Sequence, residues 1–237
     1  MSGRRTVVIG GVHGDEPSGA LVLPRLEEAG FATFGPLNPW GLRESRRHLR
    51  DGRDLNRAFA HRGCAPAERV RTFLRDDPPD LLLDLHEDVE VERPYLIQFG
   101  PKSQVGKRTL ARLRQRYEFH PRPAFGVLKG RKGLIHPPLW LLRGQRLTRR
   151  WSLTFWSWLE FGVPSIVVEV PGGWSLERKQ AFHQEVCETA RAVFKPAVAP
   201  APAPVAVARP ASLRPPQAAA RPVAARVLPA SAQLAFG

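Results

Sequence analysis

Cysteine is scarce in these 237 residues: there are two, Cys64 and Cys187, far apart and in no metal or redox spacing. That arithmetic excludes a disulfide framework, a Cys-rich zinc module and a dithiol redox motif. Acidic residues are also short, 22 Asp and Glu against 36 Lys and Arg, for a formal net charge of +14. No uninterrupted apolar run is long enough to cross a bilayer, and the opening MSGRR leads into an apolar segment without a signal-peptide core. A cytoplasmic protein with free thiols and no membrane partner is expected.

Acids disappear altogether after residue 195. From Pro196 the chain is nearly all Ala, Pro and Val with scattered Arg, and no helical or strand period persists. Such a composition cannot recover the entropy of ordering, so residues 196–237 are expected to form a disordered tail and residues 3–195 one folded domain. The charge divides into +10 on the domain and +4 on the tail. The surplus suits an anionic partner, or is a plain consequence of Arg-rich composition.

What is there is an alternation of strands and helices. TVVIGG (6–11), DLLLDL (80–85) and PSIVVEV (164–170) are continuous apolar runs, as expected of parallel strands covered on both faces. FATFGPLN (31–38) and PYLIQFG (94–100) read as further strands. Helical patterns lie between them: EPSGALVLPRLEEAG, ended or kinked by Pro24; PAERVRTFLRDD; VGKRTLARLRQRYEF; and SLERKQAFHQEVCETARAVF, with Ser175 as N-cap. The fold class is therefore α/β, with a central, mainly parallel sheet flanked by helices.

Chemistry gathers where these strands end. His13 and Glu16 follow the first strand in TVVIGGVHGDEPSG, His86 follows DLLLDL, and Glu169 lies near the end of PSIVVEV. In open α/β sheets the site lies beyond the carboxyl ends of the strands, so these residues are expected to meet. Two imidazoles and one carboxylate make a three-ligand zinc set with a fourth position left for water. A metal there would lower the water's pKa to about 7 and polarise a carbonyl. Glu169 is then the candidate proton carrier, and Asp84 a partner that orients a ligand imidazole.

The polar stretch NPWGLRESRRHLRDGRDLNRAF (38–59) fits two roles. Asn56 and Arg57 suit a bidentate grip on a carboxylate, and Arg47 the stabilisation of an oxyanion. Equally, the stretch could be a solvated basic loop.

Taken in order, GGVHGDEPSG, NPWGLRESRR, DLNR, DLHED and VVEVPGG resemble the zinc carboxypeptidase superfamily, which includes succinylglutamate desuccinylase and aspartoacylase. The resemblance spans roughly residues 6 to 173. It implies a mixed sheet flanked by helices and hydrolysis of an amide bond beside a free carboxylate, on a peptide or small-molecule substrate. It further implies one Zn2+ per chain on His13, Glu16 and His86, with Arg47 polarising the carbonyl, Asn56 and Arg57 holding the carboxylate, and Glu169 as general acid/base. The desuccinylase branch normally adds a β-rich C-terminal domain, where this chain has its Ala/Pro tail. Neither Tyr95 nor Tyr117 is assigned to the tyrosine that the peptidase branch places over its substrate.

A carboxypeptidase-like metallohydrolase is the first expectation, and an N-acyl amino acid deacylase the alternative within the same chemistry. A catalytically inert basic module binding nucleic acid or another polyanion is the alternative of another class, and no aromatic-interleaved motif supports it. Two further expectations concern packing. Trp151, Phe155, Trp158 and Leu159 recur at helical spacing and should face the core, and GLIHPP (133–138), with His136, should be a surface loop rather than a lid over the site.

Overall fold

The computed structural model describes residues 5–100 and 103–194, and the expected tail over 196–237 lies outside the described residues. In chain order the strands are β1 (Thr6–Gly10), β2 (Ala32–Phe34), β3 (Leu81–Asp88), β4 (Tyr95–Phe99), β5 (Ala124–Phe125), β6 (Leu128–Lys129), β7 (Leu134–Ile135) and β8 (Ser165–Pro171). The helices are α1 (Pro17–Leu21), α2 (Leu23–Glu28), α3 (Pro39–Glu44), α4 (Ala65–Asp76), α5 (Val105–Leu113), α6 (Leu139–Thr148), α7 (Leu153–Phe161) and α8 (Leu176–Val193).

Six strands form one mixed sheet in the order β2-β1-β3-β8-β4-β7, and β5 and β6 make a separate short hairpin. The pairs β2–β1, β1–β3, β3–β8 and β4–β7 are parallel, while β4 runs antiparallel to β8. The reversal follows from chain length. Residues 89–94 are too few for a crossover, so β4 must start at the end of the sheet where β3 stops.

Both faces of the sheet are covered, which is why its central strands are apolar throughout. Alternation along β3 sends Leu81, Leu83 and Leu85 into a core shared with Leu26, Leu110, Phe182 and Val186 of α2, α5 and α8. Leu82 faces the other way, toward Val70 and Leu74 of α4 and Trp156 of α7. Each such side chain contributes roughly 1.5–3 kcal/mol by leaving water.

Local chemistry sets the element ends. The first helical pattern divides at Val22, with Pro24 inside the first turn of α2. Ser175 caps α8 by accepting from the Arg178 N–H, as its position suggests. Phe155 is fully buried, and Trp151, Trp158 and Leu159 pack around it against Tyr95 and Ile97, so the aromatic helix faces the core as expected. The segment expected to be a surface loop at GLIHPP is instead partly sheet. Leu134 and Ile135 pair with Leu96 and Ile97, and Ile135 is fully buried. Two residues are too few for alternation to be read.

Candidate metal centre

Beyond the carboxyl ends of β1 and β3 the chain brings His13, Glu16 and His86 together, with one ligand atom from each lying within 4.8 Å of the others. His13 and Glu16 come from the turn between β1 and α1, and His86 from the last turnward residues of β3. The turn can sit close because Gly14 carries no side chain at the contact. A Cβ on Gly14 would lie 2.0 Å from the Gly41 carbonyl carbon in α3, so close approach rather than unusual backbone dihedrals demands glycine there.

Both imidazoles present the same nitrogen to the carboxylate. His13 Nδ1 lies 2.8 Å from Glu16 Oε1, and His86 Nδ1 lies 2.8 Å from Glu16 Oε2. Their opposite nitrogens each face a second acid. His13 Nε2 is 3.3 Å from Asp54 Oδ1, and His86 Nε2 is 3.1 Å from Asp84 Oδ1, an ion-pair distance whose angles do not make a hydrogen bond. Asp84 is fully buried and neither of its oxygens has a hydrogen-bond partner, so a positively charged neighbour is what its carboxylate calls for.

This donor set fits a divalent transition metal. Two imidazoles and a carboxylate suit zinc or its neighbours, and an acid behind each imidazole is the arrangement that fixes ring orientation and raises ligand basicity. The electrostatics agree. Burial works to raise the Glu16 carboxyl, but His86 and His13 outweigh it and hold the group well below the usual carboxylate range. Burial likewise opposes charge on His86, yet Asp84 and Glu16 raise it well above the ordinary imidazole value. Asp54, despite burial, is held at about 2 by His13, Arg57 and Arg47. A cluster this rich in negative charge prefers a cation at its centre.

Glu169 stands directly opposite His86 on the neighbouring parallel strand. It is buried, and burial pushes its carboxyl up to about 8, with His86 opposing and Glu16, Asp88 and Asp84 adding to the rise. Arg47 reaches the same place from the loop after α3, donating through Nη1 to Glu16 Oε1 at 2.7 Å. That loop is pinned by Asn38, which caps α3 and donates through Nδ2 to the carbonyls of Arg47 and His48.

Asn56 and Arg57 lie on a single 3-10 turn, Leu55–Arg57, capped by Asp54. Asn56 Oδ1 accepts from the Leu153 N–H. Arg57 Nη1 donates to the Asn56 carbonyl. Because Asp54 also touches His13, the turn is tied to the cluster. All seven candidate residues therefore assemble in one region.

Sequence reading missed three neighbours. Asp54 was visible as the first letter of DLNR but carried no role there. Tyr95 stands opposite Glu169 in the antiparallel register, and its hydroxyl donates to Asp88 Oδ2 at 2.7 Å. Neither Tyr95 nor Asp88 could be placed without knowing that β4 pairs with β8.

No protein-family model matches the sequence, and no curated protein matches it. Solved structures do match. A Shewanella baltica protein provisionally named a metallopeptidase is 16% identical with a TM-score of 0.68, the match covering 82% of this chain and 78% of that one. A metallo-carboxypeptidase from Burkholderia cenocepacia is 17% identical with a TM-score of 0.58, over 81% of this chain and 56% of that one. The D,L-carboxypeptidase Csd4 of Helicobacter pylori, in its mDAP-bound form, is 15% identical with a TM-score of 0.59, over 79% of this chain and 50% of that one. The chain thus has the fold of these metallopeptidases, and it spans little more than half the length of the Burkholderia protein and half that of the Helicobacter protein. Among the described residues no helix is long and apolar enough to cross a membrane.

Proposed function

We propose that the chain is a zinc-dependent hydrolase that cleaves an amide bond beside a free carboxylate, in the manner of a carboxypeptidase. The observation that carries this reading is the convergence of His13, Glu16 and His86, with an acid behind each imidazole and Glu169 beside His86. A divalent ion held there supplies positive charge that polarises the substrate carbonyl, acidifies a water and favours the ionised form of Glu169.

The chain's own residues do the rest. Glu169 takes the proton from the attacking water and returns it to the departing amine, a transfer its buried position shields from bulk solvent. Arg47 exchanges its contact with Glu16 for the carbonyl oxygen, where negative charge develops. Asn56 Nδ2 and the free edge of Arg57 hold the substrate's terminal carboxylate at a set distance from the cluster. The fold neighbours support peptide substrates over N-acyl amino acids, since those named by activity are carboxypeptidases.

Zinc-loaded full-length protein tests the proposal with a paired panel: peptides with a free C-terminus, the same peptides amidated, and N-acyl amino acids. Release of the last residue from the free peptides, abolished by amidation, is the expected result. Hydrolysis of the N-acyl amino acids alone would move the assignment to a deacylase. Absence of hydrolysis across the panel by protein carrying its ion would refute it.

A further inference from the structure

Resting on the metal-centre reading above, we infer that Glu87 and Lys179 are a positioning pair, locking the His13–Glu16 turn to the His86 strand from the opposite face of the sheet and presetting the ligand spacing. Alternation along β3 separates neighbours: His86 faces the cluster, while Glu87 faces α1 and α8. Two hydrogen bonds then cross between the same two segments in opposite directions. The Glu87 N–H donates to Glu16 Oε2 at 3.2 Å, and the Ser18 N–H donates to Glu87 Oε1 at 2.8 Å. One clamps a ligand carboxylate, and the other clamps the backbone two residues beyond it.

The second oxygen of Glu87 is taken by Lys179 Nζ of α8. One helical turn further along α8, His183 Nε2 lies 3.1 Å from Ser18 Oγ. Ser18, Glu87, Lys179 and His183 are all buried. Helix α1 has no slack here either, since a Cβ on Gly19 would lie 2.8 Å from the Leu85 carbonyl oxygen. The long helix α8 therefore braces both ligand-bearing segments at once.

A buried ion pair is a costly filling for a core, and an apolar pair of similar volume is often as stable or more so. Stability alone thus gives no reason for a charged pair at this position. Its geometry does: a salt-bridged carboxylate fixes Ser18 and the backbone of Glu87 in directions that an apolar side chain cannot dictate. Groups that orient metal ligands from behind change metal affinity by roughly 10–100-fold when removed.

The test compares the full-length wild type with Glu87→Met, Lys179→Met and the double variant, using Arg75→Ala as a control on an exposed ion pair with Glu160. Zinc affinity is measured by competition with a chromophoric chelator, and the Tm of each metal-free form is recorded. Affinity is expected to fall about 10–100-fold in the double variant while its Tm stays at or above the wild-type value. The control moves neither quantity. Should the double variant not fold, Glu87→Gln, which keeps the side chain's size and an acceptor for the Ser18 N–H, is read below its own Tm by zinc affinity alone. Wild-type affinity in these variants would assign the pair to stability alone and overturn the inference, leaving the metal centre intact. A wild-type chain that takes up no zinc would overturn the metal-centre reading, and the inference with it.

Discussion

Glu169 and His86 are directly opposed residues on the neighbouring parallel strands β8 and β3, on the same face of the sheet. Adjacent strands lie about 4.8 Å apart, so the backbone ladder sets the spacing between the proposed ligand imidazole and the proposed proton-carrying carboxyl. Neither residue depends on a loop for its place. A site whose acid/base group and ligand share a ladder is rigid where proton transfer needs it to be.

Glu169→Gln keeps the side chain's size and removes its proton affinity. Turnover should fall about 10²–10⁴-fold while zinc content stays at the wild-type level. Single-turnover kinetics beside metal analysis checks both halves, and a variant with near wild-type turnover would remove Glu169 from the chemistry.

The acids behind the imidazoles should tune the ion. Asp54→Asn and Asp84→Asn are each expected to lower zinc affinity by roughly 10–100-fold, measured by chelator competition. The larger loss is expected for Asp84→Asn, because Asp84 is fully buried whereas Asp54 is partly open to solvent. Equal affinity in wild type and both variants would contradict the roles assigned here.

Gly14→Ala tests the close approach of the ligand turn to α3. Its new methyl group would fall 2.0 Å from backbone carbon of Gly41, so either the turn or α3 must move. Overpacking of this kind costs roughly 1–3 kcal/mol, to be read from urea unfolding, and turnover should fall as Arg47 shifts with its loop. An unchanged unfolding midpoint would show that the turn has slack.

His183 makes acid stability a measurable property of the brace. Burial first, and then the charge of His86, pushes its imidazole down to about 3 from the ordinary 6.5. Between those values the unfolded chain carries a proton that the folded chain refuses, so stability falls as pH drops through this window, by up to about 1.4 kcal/mol per pH unit. In His183→Gln the decline of Tm from pH 6.5 to pH 4 should be shallower. A parallel decline in both proteins would place the acid sensitivity elsewhere.

Sequence patterns carried the strand cores, which obey short-range rules, and the meeting of His13, Glu16 and His86, which follows from their places at strand ends. The leucines of DLLLDL are apolar where both faces are covered, and continuous polarity begins at His86 in the last residues of β3. Directions and partners across the sheet are not short-range. Nothing local in PYLIQFG says that β4 runs against β8, and so Tyr95 could not be placed beside Glu169. Lys179 and Glu87 are 92 residues apart and meet only because α8 packs on β3. Asp54 was hidden differently: as an N-cap of its own turn it already has a structural use, and its second contact, with His13, is visible only in three dimensions.

The central claim is that one divalent ion is held by three residues drawn from two distant segments. Crystals of the full-length protein grown with zinc, with diffraction recorded on either side of the zinc absorption edge, test it most directly. The account predicts one anomalous peak per chain, about 2.0–2.2 Å from His13 Nδ1, His86 Nδ1 and a Glu16 carboxylate oxygen. A peak bound elsewhere, or none among these three residues with zinc present in excess, would contradict it.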